Sequence, residues 1–309
     1  MAVYLVTGGA GFIGSNIVKE LLAKGEQVRV LDNFSTGKRD NLFPFKENPN
    51  LEVFEGDLRS FHIVRDAVKG VDYVLHQGAL PSVPRSVKDP ITSNDVNING
   101  TLHILEASKE FCVKRVVFAS SSSVYGNSEV MPKVETMPVS PMSPYAVTKY
   151  AAERYCQVFY QLYGLETVCL RYFNVFGPNQ DPTSQYSAVI PKFIKLIKEG
   201  KQPVIYGDGT QSRDFTFVSN NVEANILACT SDNVAGEVFN IACGERYSLI
   251  DLVDNINLLL GTNIKPVFEN TRPGDVKHSL AGIDKAKTLL KFTVRTHFLD
   301  GLRSLIGEW

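Results

Sequence analysis

With 309 residues, 44% hydrophobic and 21% charged, the chain is long enough for two packed lobes and has an ordinary globular make-up. A formal net charge of −1 and the lack of any dense Lys/Arg run argue against a nucleic-acid partner. No apolar run reaches membrane-span length, no signal-type segment opens the chain, and the five scattered cysteines suggest neither disulfides nor a metal site; a cytoplasmic protein with reduced thiols is expected.

Residues 3–6 read as a short apolar strand, and Phe12–Ala23 has helical spacing through Ile13, Ile17 and Leu21. Further strands are expected at 27–31, 51–54, 73–75, 116–119 and 167–170, with helices near 63–68, 101–111 and 146–163. This alternation predicts an α/β, doubly wound parallel sheet of Rossmann type over residues 1–172. After Tyr172 the rhythm changes: Pro178, Pro182, Pro191 and Pro203 punctuate the chain, and helices are expected at 189–198, 220–229 and 249–260. Residues 173–309 therefore read as a smaller mixed α/β lobe, with 215–240 returning to the first.

Between the first strand and the first helix lies Thr7-Gly8-Gly9-Ala10-Gly11-Phe12-Ile13-Gly14, in which Gly8, Gly11 and Gly14 keep a three-residue spacing. Glycine there allows a tight turn, close approach of a pyrophosphate, and close helix–strand packing. The helix N-terminus then faces the phosphate charge. Asp32 ends the second strand, eighteen positions past Gly14. A carboxylate there accepts ribose hydroxyls and repels a 2′-phosphate, which favours NAD over NADP. Asp57, after the third strand, reads equally as an adenine contact or a helix cap.

Tyr145-Ala-Val-Thr-Lys149 follows Pro144 and starts a helical pattern, which places Tyr145 and Lys149 one turn apart on one face. A free phenol has a pKa of about 10, so a base role at neutral pH needs help. An adjacent ammonium and a positive nicotinamide would both favour the phenolate. The fifth strand runs into Ser120-Ser121-Ser122-Ser123, at the sheet edge where open α/β folds bind ligands. A hydroxyl there suits a substrate oxygen.

Together, Thr7 to Gly14, Ser120 to Gly126, Tyr145 to Lys149 and Arg171-Tyr172-Phe173-Asn174 resemble the extended short-chain dehydrogenase/reductase family. Within it the chain is most similar to UDP-hexose 4-epimerases, in particular the UDP-N-acetylglucosamine 4-epimerase group. The strings HQGALPSVPRSVKDP, SPYAVTK, LRYFNVFG, GDGTQSRDF and RPGDVKHS carry the likeness across nearly the whole chain. The resemblance implies NAD contacts at Phe12, Ile13, Asp32, Asn33, Ser35, Gly37, Asp57, Leu58, Gln77, Ala79, Asn97, Tyr145, Lys149 and Phe173. It places the catalytic hydroxyl at Ser121, with Ser122 as the alternative, beside Tyr145 and Lys149. It implies UDP-sugar contacts at Ser82, Asn174, Ala188, Val189, Tyr206, Arg213, Arg272 and Asp275. It also implies a homodimer built on the helices near 101–111 and 146–163.

By the same family pattern, dehydratases and decarboxylases carry an acidic residue after the catalytic hydroxyl. Ser122 and Ser123 stand there in this chain, which leaves C4 epimerisation through a transient 4-keto sugar. Ser279 matches a position where epimerases restricted to non-acetylated sugars have Tyr, so the resemblance implies room for an N-acetyl group. Pro81 departs from the pattern, since that position tends to be Gly in the N-acetyl group and Lys in the UDP-galactose group. UDP-GlcNAc/UDP-GalNAc with UDP-Glc/UDP-Gal is therefore the expected substrate range. UDP-glucuronate 4-epimerisation and a non-catalytic NAD-binding regulator are the alternatives.

Overall fold

The computed structural model describes residues 1–181, 189–271 and 277–307. Strands β1 (Val3–Thr7), β2 (Gln27–Asp32), β3 (Leu51–Glu55), β4 (Tyr73–His76), β5 (Arg115–Ser121) and β6 (Thr167–Tyr172) alternate with helices. The helices are α1 (Phe12–Ala23), α2 (Phe61–Val68), α3 (Val83–Lys88), α4 (Pro90–Asn94), α5 (Gly100–Glu110) and α6 (Pro144–Tyr163). Beyond them come α7 (Val189–Lys198), α8 (Val218–Thr230), strand β7 (Val238–Ile241), α9 (Leu249–Leu260) and α10 (Phe298–Gly307).

The strands form one parallel sheet in the order β7-β6-β5-β4-β1-β2-β3. Its order reverses between β1 and β4, and such a switch point opens a crevice at the strands' carboxyl ends. Both faces are covered. On one, Ile17, Val18 and Leu21 of α1 and Val222 and Ala224 of α8 join Val6, Val30, Val117 and Leu170 of the strands in one core. On the other, Val64, Ile104, Ala152 and Phe159 join Leu5, Val74 and Phe118. Burial on both sides explains the near-continuous apolar strands.

Helix α6 has a clear start and stop. Ser143 caps it by accepting from Ala146 N–H, Pro144 occupies the first turn, and Gly164 ends it at φ 71°. Helix α9 opens with a reciprocal capping box between Ser248 and Asp251 and ends at Gly261 in the left-handed conformation. The α4 and α5 segments form one continuous run, because residues 95–99 between them wind as a single π-type turn.

The remaining residues gather on an aromatic cluster of Phe176, Phe215, Phe217, Tyr247 and Phe298, with Phe215 and Phe298 stacked at 5.4 Å. Two-residue strand pairs frame it: Val175–Phe176 with Thr216–Phe217, and Ser212–Arg213 with Tyr247–Ser248. Among the described residues no helix is long and apolar enough to cross a membrane, and no group of three or more metal-ligating side chains occurs. Four cysteines are buried and Cys112 is exposed; all five are free.

Candidate active site

A cleft of about 440 Å³ opens at the switch point between β1 and β4. Gly8, Gly11, Phe12, Ile13, Gly14, Asp32, Asn33, Ser35, Gly37, Asp57, Leu58, Gln77, Ala79, Tyr145 and Lys149 all line it. The glycine turn is sterically obligatory. Gly8 has φ 65°, and a Cβ on it would lie 2.8 Å from Gly78 Cα. A Cβ on Gly14 would lie 2.1 Å from the Gly8 carbonyl oxygen, so α1 packs where only glycine fits. This close approach of bare backbone is what a dinucleotide pyrophosphate requires.

At the far end of β2, Asp32 is 8% exposed and accepts from Ala10 N–H at 2.9 Å and Phe34 N–H at 2.8 Å. Burial pushes its carboxyl up, and the two backbone bonds pull it down. The carboxylate is thus held rigidly at the rim. Asp57 accepts the Arg59 guanidinium through both oxygens at 3.0 and 2.8 Å and also accepts from Asn33 Nδ2 at 2.8 Å. That guanidinium, foremost, holds the Asp57 carboxyl far below the usual range. The helix-cap alternative is not realised, because Ser60 occupies the cap position of α2 and the Asp57 side chain turns back on Arg59 N–H at 2.9 Å.

The chemistry-bearing end lies under β4, β5 and β6. Lys149 is 4% exposed and donates to the Ala119 carbonyl at 2.7 Å, with its Nζ 6.0 Å from the Tyr145 ring centre. Burial pushes this ammonium down to about 8. Burial also pushes the Tyr145 phenol up, while a hydrogen bond with Ser121 pulls it down. Burial is the governing influence on the phenol. Ser121 Oγ accepts from Ser123 N–H at 3.2 Å and Ser123 Oγ at 2.9 Å, which leaves its own proton directed elsewhere. Ser122 begins the short turn over 122–125, and Ser120 donates to Glu153 at 2.9 Å. Glu153 also accepts from Arg171 Nε at 3.0 Å and Nη2 at 2.6 Å, in a buried pair that fixes α6 against β6.

Two expected cofactor contacts stand behind the wall. Asn97 is 2% exposed and accepts from Leu80 N–H at 2.7 Å, so it holds a lining segment without presenting surface of its own. Phe173 is fully buried beside Tyr125; from that strand it is Tyr172 that lines the cleft.

The expected sugar contacts gather on a neighbouring junction. Asn174 donates to the Asp214 carbonyl at 3.2 Å, Ser279 N–H donates to the Ser212 carbonyl at 3.0 Å, and Arg213 lies between these attachments. Tyr206 closes the short strand Val204–Tyr206, and its carbonyl accepts from Gln211 Nε2 at 2.6 Å; Val189 opens α7. Ser82 has φ 101°, a conformation that costs an ordinary residue about 1–3 kcal/mol and that gathers at functional sites. Ala188, Arg272 and Asp275 lie outside the described residues.

Residues that sequence reasoning missed also line the cleft, including Lys38, Arg59, Asn179 and Asp181. Lys38 pairs with Asp181 at 3.0 Å, and Asn179 donates to Ser15 at 3.0 Å, so the segment after Gly177 lies against the start of α1. No periodic signal marks such tertiary contacts.

The model of the NAD dependent epimerase/dehydratase family matches residues 4–242. A solved UDP-N-acetylglucosamine 4-epimerase from Methanobrevibacter ruminantium, in complex with UDP-N-acetylmuramic acid, is 43% identical, covers 99% of this chain and 97% of its own, and superposes with a TM-score of 0.95. The Thermotoga maritima UDP-glucose 4-epimerase with UDP-glucose is 36% identical over 99% of this chain and 97% of that one, TM-score 0.93. The Bacillus cereus UDP-glucuronic acid 4-epimerase with UDP-glucuronic acid and NAD is 33% identical over 99% and 98%, TM-score 0.91.

Proposed function

The chain belongs to the NAD-dependent epimerase/dehydratase family, and from that premise we propose that it is a UDP-sugar 4-epimerase acting on UDP-GlcNAc/UDP-GalNAc and on UDP-Glc/UDP-Gal. The observation that carries the reading is Tyr145 and Lys149 together in the cleft, with Ser121 acting on the phenol from a serine edge that holds no carboxylate at 122 or 123. The cleft suits NAD: the bare-backbone glycine turn would hold the pyrophosphate and the fixed Asp32 carboxylate a ribose. Bound NAD supplies the hydride acceptor and, on return, the hydride donor at C4.

The protein's own residues manage the proton. Tyr145 accepts the proton of the 4-hydroxyl as C4 is oxidised and gives it back as the 4-keto sugar is reduced on its other face. Ser121 holds the same oxygen through its hydroxyl. Lys149, poised near 8 and anchored on Ala119, supplies positive charge beneath the pair. Arg213 is assigned to the diphosphate, since guanidinium matches phosphate oxygens. Ser279, small and half-buried, leaves space at the C2 substituent.

One experiment tests this. Purified protein is assayed on UDP-GlcNAc, UDP-Glc and UDP-glucuronate, with NAD content measured after denaturation. Turnover of the first two with NAD released is expected. Turnover of the uronate alone would replace this reading with that of the Bacillus cereus relative. Tyr145→Phe should lower kcat by about 10²–10⁴-fold, the usual worth of a positioned acid–base group. A retained rate would favour a non-catalytic NAD-binding protein.

We also assign a homodimer to the outer faces of α5 and α6, where Leu162 is 69% exposed and Tyr163 54%. Light scattering at the mass of one chain would remove that assignment.

A further inference from the structure

The start of α6 carries Tyr145, so its main chain sets where the phenol points. Helix starts leave N–H groups without helical partners. Here Pro144 has none, Ala146 N–H is taken by Ser143, and Val147 N–H begins the helical ladder on the Ser143 carbonyl. Tyr145 N–H is taken from outside, by Ser86 Oγ at 3.0 Å, a residue 59 positions away on α3. Ser86 is fully buried and its own proton is spent on the Val83 carbonyl at 2.8 Å. One hydroxyl therefore joins α3 to the Tyr145 backbone.

The Tyr145 carbonyl is held as well. It accepts from Thr148 Oγ1 at 2.8 Å, and Thr148 accepts from Asn97 Nδ2 at 3.0 Å. Asn97 in turn binds both the N–H and the carbonyl of Leu80. Both clamps on Tyr145 thus lead to the ends of one segment, 80–86, which contains the strained Ser82.

We propose that Ser86 is a positioning residue that mounts the Tyr145 phenol on the segment carrying Ser82, the residue expected at the sugar, so that sugar seating and proton transfer share one frame. The proposal rests on the reading of Tyr145 as the proton carrier. Loss of the hydroxyl leaves the part-buried Tyr145 N–H without this partner and frees its backbone to shift. Displacements near 1 Å away from the chemistry can cost about a hundredfold in rate.

The test is Ser86→Ala in the full-length protein, assayed with NAD-loaded enzyme and UDP-GlcNAc. The expected result is kcat lowered about ten- to a hundredfold with KM within about twofold of wild type. The acid limb of the kcat–pH profile should move to higher pH, because a displaced phenol loses the Ser121 bond that lowers its pKa. Wild-type kcat, a KM change as large as the kcat change, or an unmoved pH limb would each overturn the proposal. If Ser86→Ala does not yield folded protein, the same readouts on Ser86→Cys, a weak acceptor of similar size, decide on the same terms. Tyr145→Phe is measured alongside. If Tyr145→Phe stays active the parent reading falls; if it is dead while Ser86→Ala behaves as wild type, only this inference falls.

Discussion

The sheet and the junction beyond Tyr172 are held together by different means. In the sheet, long apolar strands are covered on both faces, and its one buried histidine, His76, is served only by hydroxyls, Thr7 at 2.7 Å and Thr101 at 3.0 Å. At the junction, strands are two or three residues long, and beside the aromatic cluster one buried carboxylate ties three backbone segments together. Asp214 is fully buried and accepts from Cys243 N–H at 3.0 Å, Gly244 N–H at 3.1 Å and Ala281 N–H at 3.1 Å. A periodic core spreads its stability over many contacts, whereas a polar knot concentrates it in one side chain.

The largest expected effect follows from that concentration. Asp214→Ala leaves three buried N–H groups unpaired, each worth about 1–3 kcal/mol, so a loss of at least about 3 kcal/mol is expected in denaturant unfolding. Since Arg213 and the 277–279 segment hang on this knot, KM for the UDP-sugar should rise before NAD content falls. A loss below about 1 kcal/mol would erase the contrast between the two regions.

A smaller effect separates them by pH. Burial pushes His76 down to about 3 from an ordinary value near 6.5. Between those values the unfolded chain binds the extra proton, so stability is present near neutrality and is lost as pH falls through 6.5 towards 3. From pH 7 to 5 this amounts to about 2 kcal/mol. Burial pushes Asp214 up to about 7, against the pull of its three backbone bonds. There the folded protein binds the extra proton, so stability is gained as pH falls from 7 to 5, again by about 2 kcal/mol. The two terms offset in the wild type, and only variants expose them. In His76→Gln the stability deficit relative to wild type should narrow on acidification. In Asp214→Ala it should widen. The same trend in both, by unfolding at pH 7 and 5, would refute the assignment.

The contrast also governs what the sequence disclosed. The strands of the first half and helices α1, α7 and α9 are readable because apolar spacing repeats over a full element. The glycine turn, Asp32, Tyr145 and Lys149 are readable because each sits at a fixed offset from such an element, and all of them line the cleft. Helices α3 and α4 were not visible. Their prolines, Pro84 and Pro90, stand in a first helical turn, where a missing N–H costs little. Ser120, Ser121 and Ser122 look alike in sequence and differ only in tertiary partners: Ser120 bonds Glu153 and Ser121 bonds Ser123. The buried positions of Asn97 and Phe173 likewise depend on neighbours distant in sequence.

The smallest effect bears on sugar choice and uses the junction's geometry. Ser279 is half-buried, and its N–H is pinned to Ser212, the residue paired to His278 at 2.9 Å. Its side chain is therefore mounted on a fixed backbone beside Arg213, and a larger residue has no strand to slide along. Ser279→Tyr should lower kcat/KM for UDP-GlcNAc about tenfold, or ~1.4 kcal/mol, while UDP-Glc changes by less than about threefold. Pocket-size effects of this order are modest because an apolar wall excludes by volume alone. Equal losses on both sugars would mean that Tyr disturbs the knot rather than the C2 substituent, and the unfolding curve of the variant would then shift as Asp214→Ala does. A selective loss with an unchanged curve would separate substrate choice from the stability of the junction that carries it.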